Sequence, residues 1–381
     1  MRIPLSAPDV QEEDIEAVAA VLRSSRLSLG PKLEEFERAI ARYIGIQYAV
    51  GVSSGTAGLH LAVRALDIGA GDEVIVPSFA FIAVANILRY ERAIPVFVDI
   101  EPQTLNLDPG RIEAAITART KAILVVHTFG SPANLPEILA ISRRHNLRVI
   151  EDACEAIGAE YDGRRVGAFG DVGVFGFYPN KQITTGEGGM IVTQNQDLAS
   201  AMRALRNQGR TESGDWFQHS TIGYNYRLSE LNCALGINQL RRVEEILARR
   251  EQVARKYDEK LRGNKNLILP PLDLPRRKIS WFVYVVRLAE SFSRIQRDWI
   301  VEEIARRGIG CGRYFAPIHL QPAYQDMFAP RADLAVTEQQ ARRTIALPFF
   351  NRLQESQIDE VCETLCELAS QAKQTNFAKV L

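Results

Sequence analysis

The sequence predicts an α/β protein whose main sheet is largely parallel and covered by helices on both faces. Between residues 48 and 153, short segments that are apolar throughout alternate with amphipathic segments of helical period. Strands that are apolar on both sides are typical of a parallel sheet buried between two layers of helices. The length of 381 residues favours a second, smaller unit beside this sheet.

Each segment in the first half of the chain takes its place in this alternation. The N-terminal part predicts amphipathic helices at residues 12–23 and from Leu33 onwards, with a loop from Ser28 to Pro31 between them. Strands are predicted at residues 48–53, 73–77, 95–100, 122–127, 148–153, 172–178 and 190–193. Helices are predicted at residues 57–66, 80–90, 109–116, 135–145 and 198–206, before a loop with Trp216 and Phe217.

The C-terminal part predicts a smaller α+β domain. One helical pattern runs from Ser229 to about Leu261, as expected of a helix that bridges two domains. Residues 281–288 alternate like a strand, and residues 297–308 and 357–369 have helical patterns. We therefore predict a large α/β domain at residues 1–250, including the N-terminal helices, and a small α+β domain at residues 251–381.

The charge and cysteine content argue against several classes of protein. Lysine plus arginine and aspartate plus glutamate balance at 46 each, so no overall field favours nucleic acid or an anionic membrane. The sequence contains no hydrophobic signal region and no stretch long enough to span a membrane. The five cysteines lack the spacing of a metal site or a disulfide framework. We expect a cytoplasmic protein without a metal, a nucleic-acid partner or a membrane anchor.

One lysine stands out because two apolar, strand-like segments flank it. The first segment, 172–178, ends at Pro179-Asn180; Lys181 follows, and the turn Gly186-Glu187-Gly188-Gly189 leads into the second segment. Surroundings that solvate an ammonium group poorly favour the neutral amine, which can form a Schiff base. The alternative is an ordinary surface lysine in a hairpin turn.

Two other segments have features of a ligand site. Ser53-Ser54-Gly55-Thr56-Ala57-Gly58 lies between a predicted strand and helix, where backbone N–H groups and the helix N-terminus favour an anion. The alternative there is a Ser/Thr-capped helix start. Asp152 ends another predicted strand, and parallel sheets bind ligands beyond the carboxyl ends of their strands. The alternative is a carboxylate that only caps or forms a salt bridge.

Together these three features are the parts that a pyridoxal phosphate enzyme needs. The cofactor requires a phosphate site, a carboxylate that keeps its pyridinium nitrogen protonated, and an amine that captures its aldehyde. The Gly55–Thr56 segment, Asp152 and Lys181 can supply them in that order. The sequence therefore predicts pyridoxal 5′-phosphate as the cofactor.

Three longer motifs resemble a known family. EDACEAIGAEY, GAFGDVGVFGFYPNKQITTGEGG and GYNYRLSELNCALG closely resemble segments of the DegT/StrS family of pyridoxal phosphate-dependent sugar aminotransferases, most closely those of the perosamine-synthase type. The resemblance runs from the loop at Ser28 to the segment around His319. It implies the aspartate aminotransferase fold (fold type I of pyridoxal phosphate enzymes). Lysine at position 181 favours transamination over the dehydratase branch of the family, which has histidine there.

The resemblance also implies roles for single residues. Lys181 would bond to the cofactor aldehyde and then move the proton between substrate and cofactor, and Asp152 would pair with the pyridinium nitrogen. The backbone of Gly55 and Thr56 would hold the phosphate, and Phe81 would stack on the cofactor ring. Pyridoxamine phosphate would be the cofactor form between the two half-reactions.

Further residues are implied at the subunit interface and the substrate site. Asn225 matches an asparagine that reaches the cofactor phosphate of the neighbouring subunit, so a homodimer with a shared active site is expected. Ser28 and His319 fall in segments that line the sugar-nucleotide site, although a buried, satisfied histidine is the more ordinary interpretation of His319. Arg227 and Lys32 are candidates for the diphosphate site.

Three positions depart from the family pattern. Gly176 stands where a serine usually contacts the phosphate, so a Gly176→Ser variant is expected to bind the cofactor at least as tightly. Glu155 replaces a common glutamine near the cofactor's phenolic oxygen, and is expected to be partly protonated or turned toward a donor. Cys154 replaces a common alanine, which we interpret as packing.

The resemblance implies a specific reaction. An amino group, from L-glutamate, would be transferred to a keto carbon, C4, of a nucleotide-linked deoxysugar, a step of polysaccharide biosynthesis. The alternatives are aminotransferases that act at sugar carbon 3 or on cyclitols, and a regulatory homologue that has lost turnover.

Overall fold

The computed structural model describes residues 1–211, 218–325 and 333–375. The loop predicted around Trp216 and Phe217 lies outside these residues.

The strands and helices alternate as predicted through most of the described chain. The strands are β1 (Tyr48–Val52), β2 (Glu73–Pro77), β3 (Ile94–Val98), β4 (Thr120–Val126), β5 (Arg148–Asp152), β6 (Glu160–Tyr161), β7 (Arg164–Arg165), β8 (Val172–Gly176), β9 (Gly189–Thr193), β10 (Leu267–Ile268), β11 (Arg277–Lys278), β12 (Tyr284–Leu288) and β13 (Thr344–Leu347). The α-helices are α1 (Glu12–Leu22), α2 (Pro31–Ile44), α3 (Gly55–Ala65), α4 (Ala83–Tyr90), α5 (Leu135–Arg144), α6 (Gln196–Arg206), α7 (Glu230–Arg241), α8 (Val243–Leu261), α9 (Arg294–Arg306), α10 (Pro322–Gln325), α11 (Ala335–Ala341) and α12 (Glu355–Gln374).

A seven-stranded mixed sheet forms the centre of the larger part. Its strand order is β1-β9-β8-β5-β4-β2-β3. The strands β8, β5, β4, β2 and β3 are parallel neighbours, and β9 is antiparallel to both β8 and β1. The predicted α/β class with a mainly parallel sheet is therefore confirmed.

Two hydrophobic layers cover this sheet. One contains apolar side chains of α2, α5 and α7, with Phe36 and Ile40 fully buried. The other contains side chains of α3, α4 and α6, with Leu59 and Ile87 fully buried. Each such side chain contributes roughly 1.5–3 kcal/mol by leaving water, so these two layers fix the helices against the sheet.

A second core surrounds the antiparallel sheet β10-β12-β13. Apolar residues of α8, α9 and α12 pack on it, including Tyr257, Ile300 and Leu365. Helix α8 runs through the domain boundary predicted at residue 250, and that boundary stays a prediction. A third, small sheet has the order β11-β6-β7.

Two predicted helices are wrong in detail. Residues 109–116 form two short 3₁₀ turns, because Asp108 accepts a hydrogen bond from Gly110 N–H at 2.9 Å and closes a turn before a helix can start. The single helix predicted from Ser229 to Leu261 is two helices, α7 and α8, separated at Arg242. The backbone of Arg242 leaves helical values (φ −102°, ψ 7°), and its guanidinium is held by Asp14 at 2.9 Å.

In the residues that the structure describes, no helix combines the length and apolar character needed to cross a membrane.

The end of β5 is held by a buried carboxylate beside the predicted site. Glu151 accepts hydrogen bonds from the N–H groups of Gly167, Phe169 and Gly170 at 2.6–2.8 Å, and from His127 Nε2 at 3.1 Å. Nδ1 of the same histidine accepts from Ala133 N–H at 3.1 Å, so the proton lies on Nε2. These bonds fix the strand end that carries the neighbouring residue, Asp152.

The protonation of Glu151 links this network to pH. Burial opposes its charge, but the hydrogen bonds from His127 and from the backbone N–H groups outweigh burial and lower the pKa of Glu151. A carboxyl group with a lowered folded pKa contributes stability above its unfolded pKa of about 4.3, and this contribution is lost as pH falls through the folded pKa.

We expect Glu151→Gln to lower the free energy of unfolding by about 1–3 kcal/mol at pH 7, because the amide cannot accept all four bonds. The difference from the unmodified protein should shrink below about pH 4. Urea unfolding between pH 3.5 and 8 measures both effects, with Glu137→Gln on the exposed face of α5 as the control. A loss of unfolding free energy that does not change with pH would contradict the role of the ionised Glu151 carboxylate.

Candidate functional site

The predicted site residues meet at one edge of the seven-stranded sheet. Gly55 follows β1, Phe81 follows β2, Asp152 ends β5 and Gly176 ends β8. These four strands run in the same direction, so their carboxyl ends lie along a common edge. Lys181 lies in the turn between β8 and β9 at that same edge. The structure therefore brings together the three features that predicted the cofactor.

The start of α3 forms a cup for an anion. Ser54 is the N-cap, and its Oγ accepts from Ala57 N–H at 3.0 Å. Gly55 and Thr56 occupy the first turn, where backbone N–H groups have no acceptor within the helix. The capped helix start and the phosphate site are thus compatible, because the cap leaves two N–H groups directed outwards.

Glycines permit the close packing of backbone around this cup. A Cβ atom on Gly189 would lie 2.6 Å from the carbonyl of Ser54 and 2.8 Å from Gly55 N. A Cβ atom on Gly55 would lie 2.7 Å from Cys154 Sγ and 3.4 Å from Gly176 Cα. Side chains at positions 55 and 189 would push the three segments apart.

The side chain of Lys181 is largely buried. Its side chain is 15% exposed, and Nζ lies 4.1 Å from the centre of the Phe282 ring and 3.5 Å from Glu155 Oε1. Its backbone N–H donates to Tyr178 O at 2.9 Å, which fixes the turn. These contacts argue against the surface-lysine alternative and place the amine between an aromatic face and a carboxylate.

Glu155 is turned toward two donors. Its Oε2 accepts from Phe129 N–H at 3.0 Å, and its Oε1 faces Lys181 Nζ. Burial raises the pKa of Glu155, and the charge of Lys181 and the Phe129 N–H only partly oppose that effect. The carboxyl group is therefore easier to protonate than an ordinary glutamate, in line with both parts of the sequence-based expectation.

Asp152 offers one free oxygen. Its Oδ1 accepts from Cys154 N–H at 3.0 Å, and within the described chain Oδ2 has no protein donor. The residue is 8% exposed, so this oxygen is buried enough for a charge interaction with a ring N–H to count. Asp152 can thus pair with a cationic ring nitrogen.

Cys154 packs between the cup and β8. Its thiol contacts Val174 O at 3.7 Å, and a Cβ atom on Gly176 would lie 3.3 Å from both Cys154 Cβ and Sγ. Burial, and then the charge of Asp152, raises the pKa of the Cys154 thiol well above its usual value. The neutral thiol fills space, as expected from the sequence, and the space it fills adjoins Gly176.

Asn225 and Phe81 are exposed. Phe81 is 61% exposed at the sheet edge. Asn225 lies in an extended segment that pairs with Asn207, and its side chain faces away from the chain. Both side chains are available to a ligand or a second subunit.

The three weaker substrate candidates form their contacts with residues other than the lysine. Ser28 pairs with Ser229, Arg227 Nη1 donates to Asn207 Oδ1 at 3.2 Å, and His319 Nδ1 lies 2.7 Å from Ser78 Oγ. None of the three contacts Lys181 among the described residues. Burial lowers the pKa of His319, and its other nitrogen is 3.5 Å from Glu338 Oε1, too long for a strong bond.

A buried glutamate holds the loop that carries Ser28. Glu230 accepts from the N–H groups of Gly30 and Leu33 at 3.0 Å and Lys32 at 2.8 Å, which caps α2. The amine of Lys32 is paired with Glu35 at 2.7 Å. The positive charge of Lys32 is therefore already paired within the chain.

Sequence reasoning missed Phe282, Phe129 and Glu230. Phe282 comes from the C-terminal part, about 100 residues after the lysine that it contacts. Phe129 contributes a backbone N–H and has a left-handed backbone (φ 57°) that no local motif indicates. For Glu230, the first turn of a predicted helix would suggest that the acid caps its own helix, whereas the structure shows it binding the N-terminus of α2.

Comparison with known proteins identifies the family. Residues 8–366 match the model of the DegT/DnrJ/EryC1/StrS aminotransferase family. The chain belongs to this family. It is 42% identical to the GDP-perosamine synthase of Caulobacter vibrioides over 367 residues, which cover 96% of this chain and 97% of the relative.

Solved structures of the family have the same fold. Helicobacter pylori PseC, an aminotransferase involved in the biosynthesis of pseudoaminic acid, superposes with a TM-score of 0.93 at 29% identity, covering 97% of this chain and 100% of PseC. The PLP-form of Streptococcus pneumoniae Spr1654 superposes with a TM-score of 0.93 at 27% identity, covering 98% and 100% of the two chains. The predicted fold type, enzyme class and cofactor are confirmed.

The residues of this chain fit the cofactor. The cup at Gly55 has two outward N–H groups and glycines where a Cβ atom would collide, and Asp152 has a free carboxylate oxygen. Lys181, which follows both in sequence, supplies the amine at the same edge. The phosphate, the ring nitrogen and the aldehyde of pyridoxal phosphate each have a matching group.

The contact between Cys154 and Gly176 changes the expectation for a serine at position 176. At 3.3 Å the added Cβ atom is tighter than ordinary contact, so Gly176→Ser alone should gain little affinity for the cofactor. In the Cys154→Ala background the sulfur contact is removed and only the close contact with Cβ at 3.3 Å remains, and we expect cofactor binding by the serine variant about tenfold tighter than in that background alone, from one hydrogen bond to a charged group. Titration of the cofactor-free protein with pyridoxal phosphate measures each dissociation constant.

The control is the Cys154→Ala variant alone, which removes the thiol without adding a hydroxyl. If the serine increases cofactor affinity equally with and without Cys154, the thiol does not restrict position 176.

Proposed function

We propose that this enzyme transfers the amino group of L-glutamate to the C4 keto carbon of a nucleotide-linked deoxysugar. The observation that carries the proposal is the placement of the largely buried Lys181 Nζ beside Glu155, at the sheet edge that also carries Asp152 and the Gly55–Thr56 cup. The similarity to a GDP-perosamine synthase supports a 4-amino sugar as product and a GDP-linked sugar as the first substrate to test.

The chain's residues bind and orient the cofactor. The N–H groups of Gly55 and Thr56 would hold the phosphate, aided by the positive end of the α3 dipole. Asp152 would stabilise the protonated ring nitrogen, and Phe81, which is exposed at the sheet edge, would pack against the ring. Bound pyridoxal phosphate supplies the electron sink for removing a proton from the amino-donor carbon.

Lys181 and Glu155 handle the proton. Lys181 would hold the cofactor through its aldehyde, and its Nζ atom would take up and return the proton of the amino-donor carbon. Glu155, 3.5 Å from Nζ, stabilises the positive charge of the protonated amine. Burial raises the pKa of Glu155, so its carboxyl group is easier to protonate than that of an ordinary glutamate.

The proposal includes a homodimer with a shared active site, located in the cytoplasm. Asn225 is exposed while its neighbours Tyr224 and Tyr226 are half-buried, so its side chain is free to reach the phosphate bound by a second copy. All five cysteines are free thiols, which supports a reducing compartment. Ser28, Arg227 and His319 stay candidates for the sugar-nucleotide site.

The proposed chemistry predicts a coloured protein. The purified enzyme should be yellow and should lose its visible absorbance when L-glutamate is added, because the amine passes to the cofactor. Lys181→Ala should be colourless and slower by roughly 10²- to 10⁴-fold. Lys265→Ala, an exposed lysine, is the matched control. Full activity in colourless Lys181→Ala protein would overturn the mechanism.

The substrate is tested with a panel of sugars. GDP-, UDP- and dTDP-linked 4-keto and 3-keto deoxysugars and a keto cyclitol are each incubated with L-glutamate, and products are scored by mass spectrometry. We expect conversion of the GDP-linked 4-keto sugar to be at least about tenfold faster than the rest, a difference of about 1.4 kcal/mol in transition-state binding. Preference for a 3-keto sugar or cyclitol would reject the proposed position while leaving transamination intact.

A further inference from the structure

A buried histidine outside the cofactor cup is bonded on both ring nitrogens. His60 lies on α3 and is 4% exposed. Its Nε2 is 2.7 Å from Glu91 Oε1, and its Nδ1 is 3.1 Å from the hydroxyl of Tyr226. Because a carboxylate only accepts, Nε2–H donates to Glu91, and in the neutral ring Nδ1 accepts from the Tyr226 hydroxyl.

The same carboxylate binds a second tyrosine of that segment. The Tyr224 hydroxyl donates to Glu91 Oε1 at 3.2 Å, and Arg64 Nη1 donates to Oε2 at 3.2 Å. The rings of Tyr224 and Tyr226 are stacked 5.0 Å apart, and Tyr224 lies 4.8 Å from the imidazole. Two side chains of one short segment are thus fixed to one face of α3.

The backbone of this segment is also bonded at both ends. Tyr224 N–H donates to Leu205 O at 2.6 Å and Tyr226 N–H donates to Arg206 O at 3.0 Å. Tyr226 O accepts from Ser53 N–H at 2.8 Å. In an extended segment, side chains alternate, so the residue between the two tyrosines, Asn225, projects away from His60.

These bonds join two functional parts of the chain. Ser53 lies two residues before Gly55, and His60 lies on the helix whose first turn is the cup. Asn225 lies between the two tyrosines that His60 and Glu91 hold. The same hydrogen-bond network therefore fixes both the cup and the segment that carries Asn225.

We propose that His60 is a positioning residue, which acts through Tyr226 to hold Asn225 in the orientation that contacts the phosphate in the partner subunit. This inference rests on the dimer of the proposed function. His60 itself touches neither cofactor nor substrate; it fixes the segment that does.

The test is a double-mutant cycle on cofactor affinity in the full-length protein. Tyr226→Phe removes only the hydroxyl bonded to His60, and Asn225→Ala removes only the side chain that it positions. We expect each single variant to raise the dissociation constant of pyridoxal phosphate roughly 3- to 10-fold, and the double variant to match Asn225→Ala alone. In Tyr226→Phe, the backbone amides at positions 53 and 226 should exchange hydrogen faster than in the unmodified protein.

The matched control is Tyr43→Phe, which deletes a hydroxyl bonded to a glutamate, Glu244, at 2.8 Å on another part of the surface. It should leave the cofactor dissociation constant unchanged, whatever its effect on the melting temperature. If Asn225→Ala raises the cofactor dissociation constant but Tyr226→Phe does not, this inference alone is overturned. The same holds if the two substitutions raise the dissociation constant additively in the double variant. An unaffected Asn225→Ala would overturn both the proposed role of Asn225 and the positioning role of His60.

Discussion

The close approach of three backbone segments at the carboxyl edge of the sheet is the constraint on which the site depends. The start of α3 passes so near to β9 and β8 that a Cβ atom on Gly189 would lie 2.6 Å from Ser54. This packing leaves the N–H groups of the first helical turn as the exposed polar atoms at the base of the site. It also sets the distance between the cup and Lys181, because Lys181 lies in the turn that joins those two strands.

Buried carboxylates connect the remaining segments to this edge. Glu151 binds the 167–170 loop and His127 at the end of β5, and Glu230 binds the start of α2 through the N–H groups of Gly30 and Leu33. A carboxylate with several N–H donors avoids the cost of an unpaired buried charge and fixes its donors in direction. Each of these acids binds residues that are distant from it in sequence. Together they position the 167–170 loop and the segment from Gly30 to Leu33.

The sequence alone predicts the parts of the site that local patterns encode. The strand–helix alternation, the Gly55 cup, Asp152 at a strand end and Lys181 between two strands all follow from periodicity and glycine placement, and the structure brings them to one edge. The contacts of Lys181 do not follow from such patterns. Phe282 reaches the lysine from the C-terminal part of the chain, and only tertiary packing brings it there. The split between α7 and α8 escapes prediction for the same reason, since Arg242 is held by Asp14 from the N-terminal helix.

The departures from the family pattern are easier to understand as a set than singly. A glycine at 176 and a cysteine at 154 looked like two unrelated changes, one losing a hydroxyl and the other adding a thiol. The structure shows that they share one space, because a Cβ atom at 176 would meet the Cys154 side chain at 3.3 Å. The sulfur fills volume next to the cup, while its raised pKa keeps it neutral beside Asp152. A neutral sulfur packs the cup without adding a negative charge there. Because Gly176 offers no hydroxyl, the backbone N–H groups and, in the proposed dimer, Asn225 would have to hold the phosphate.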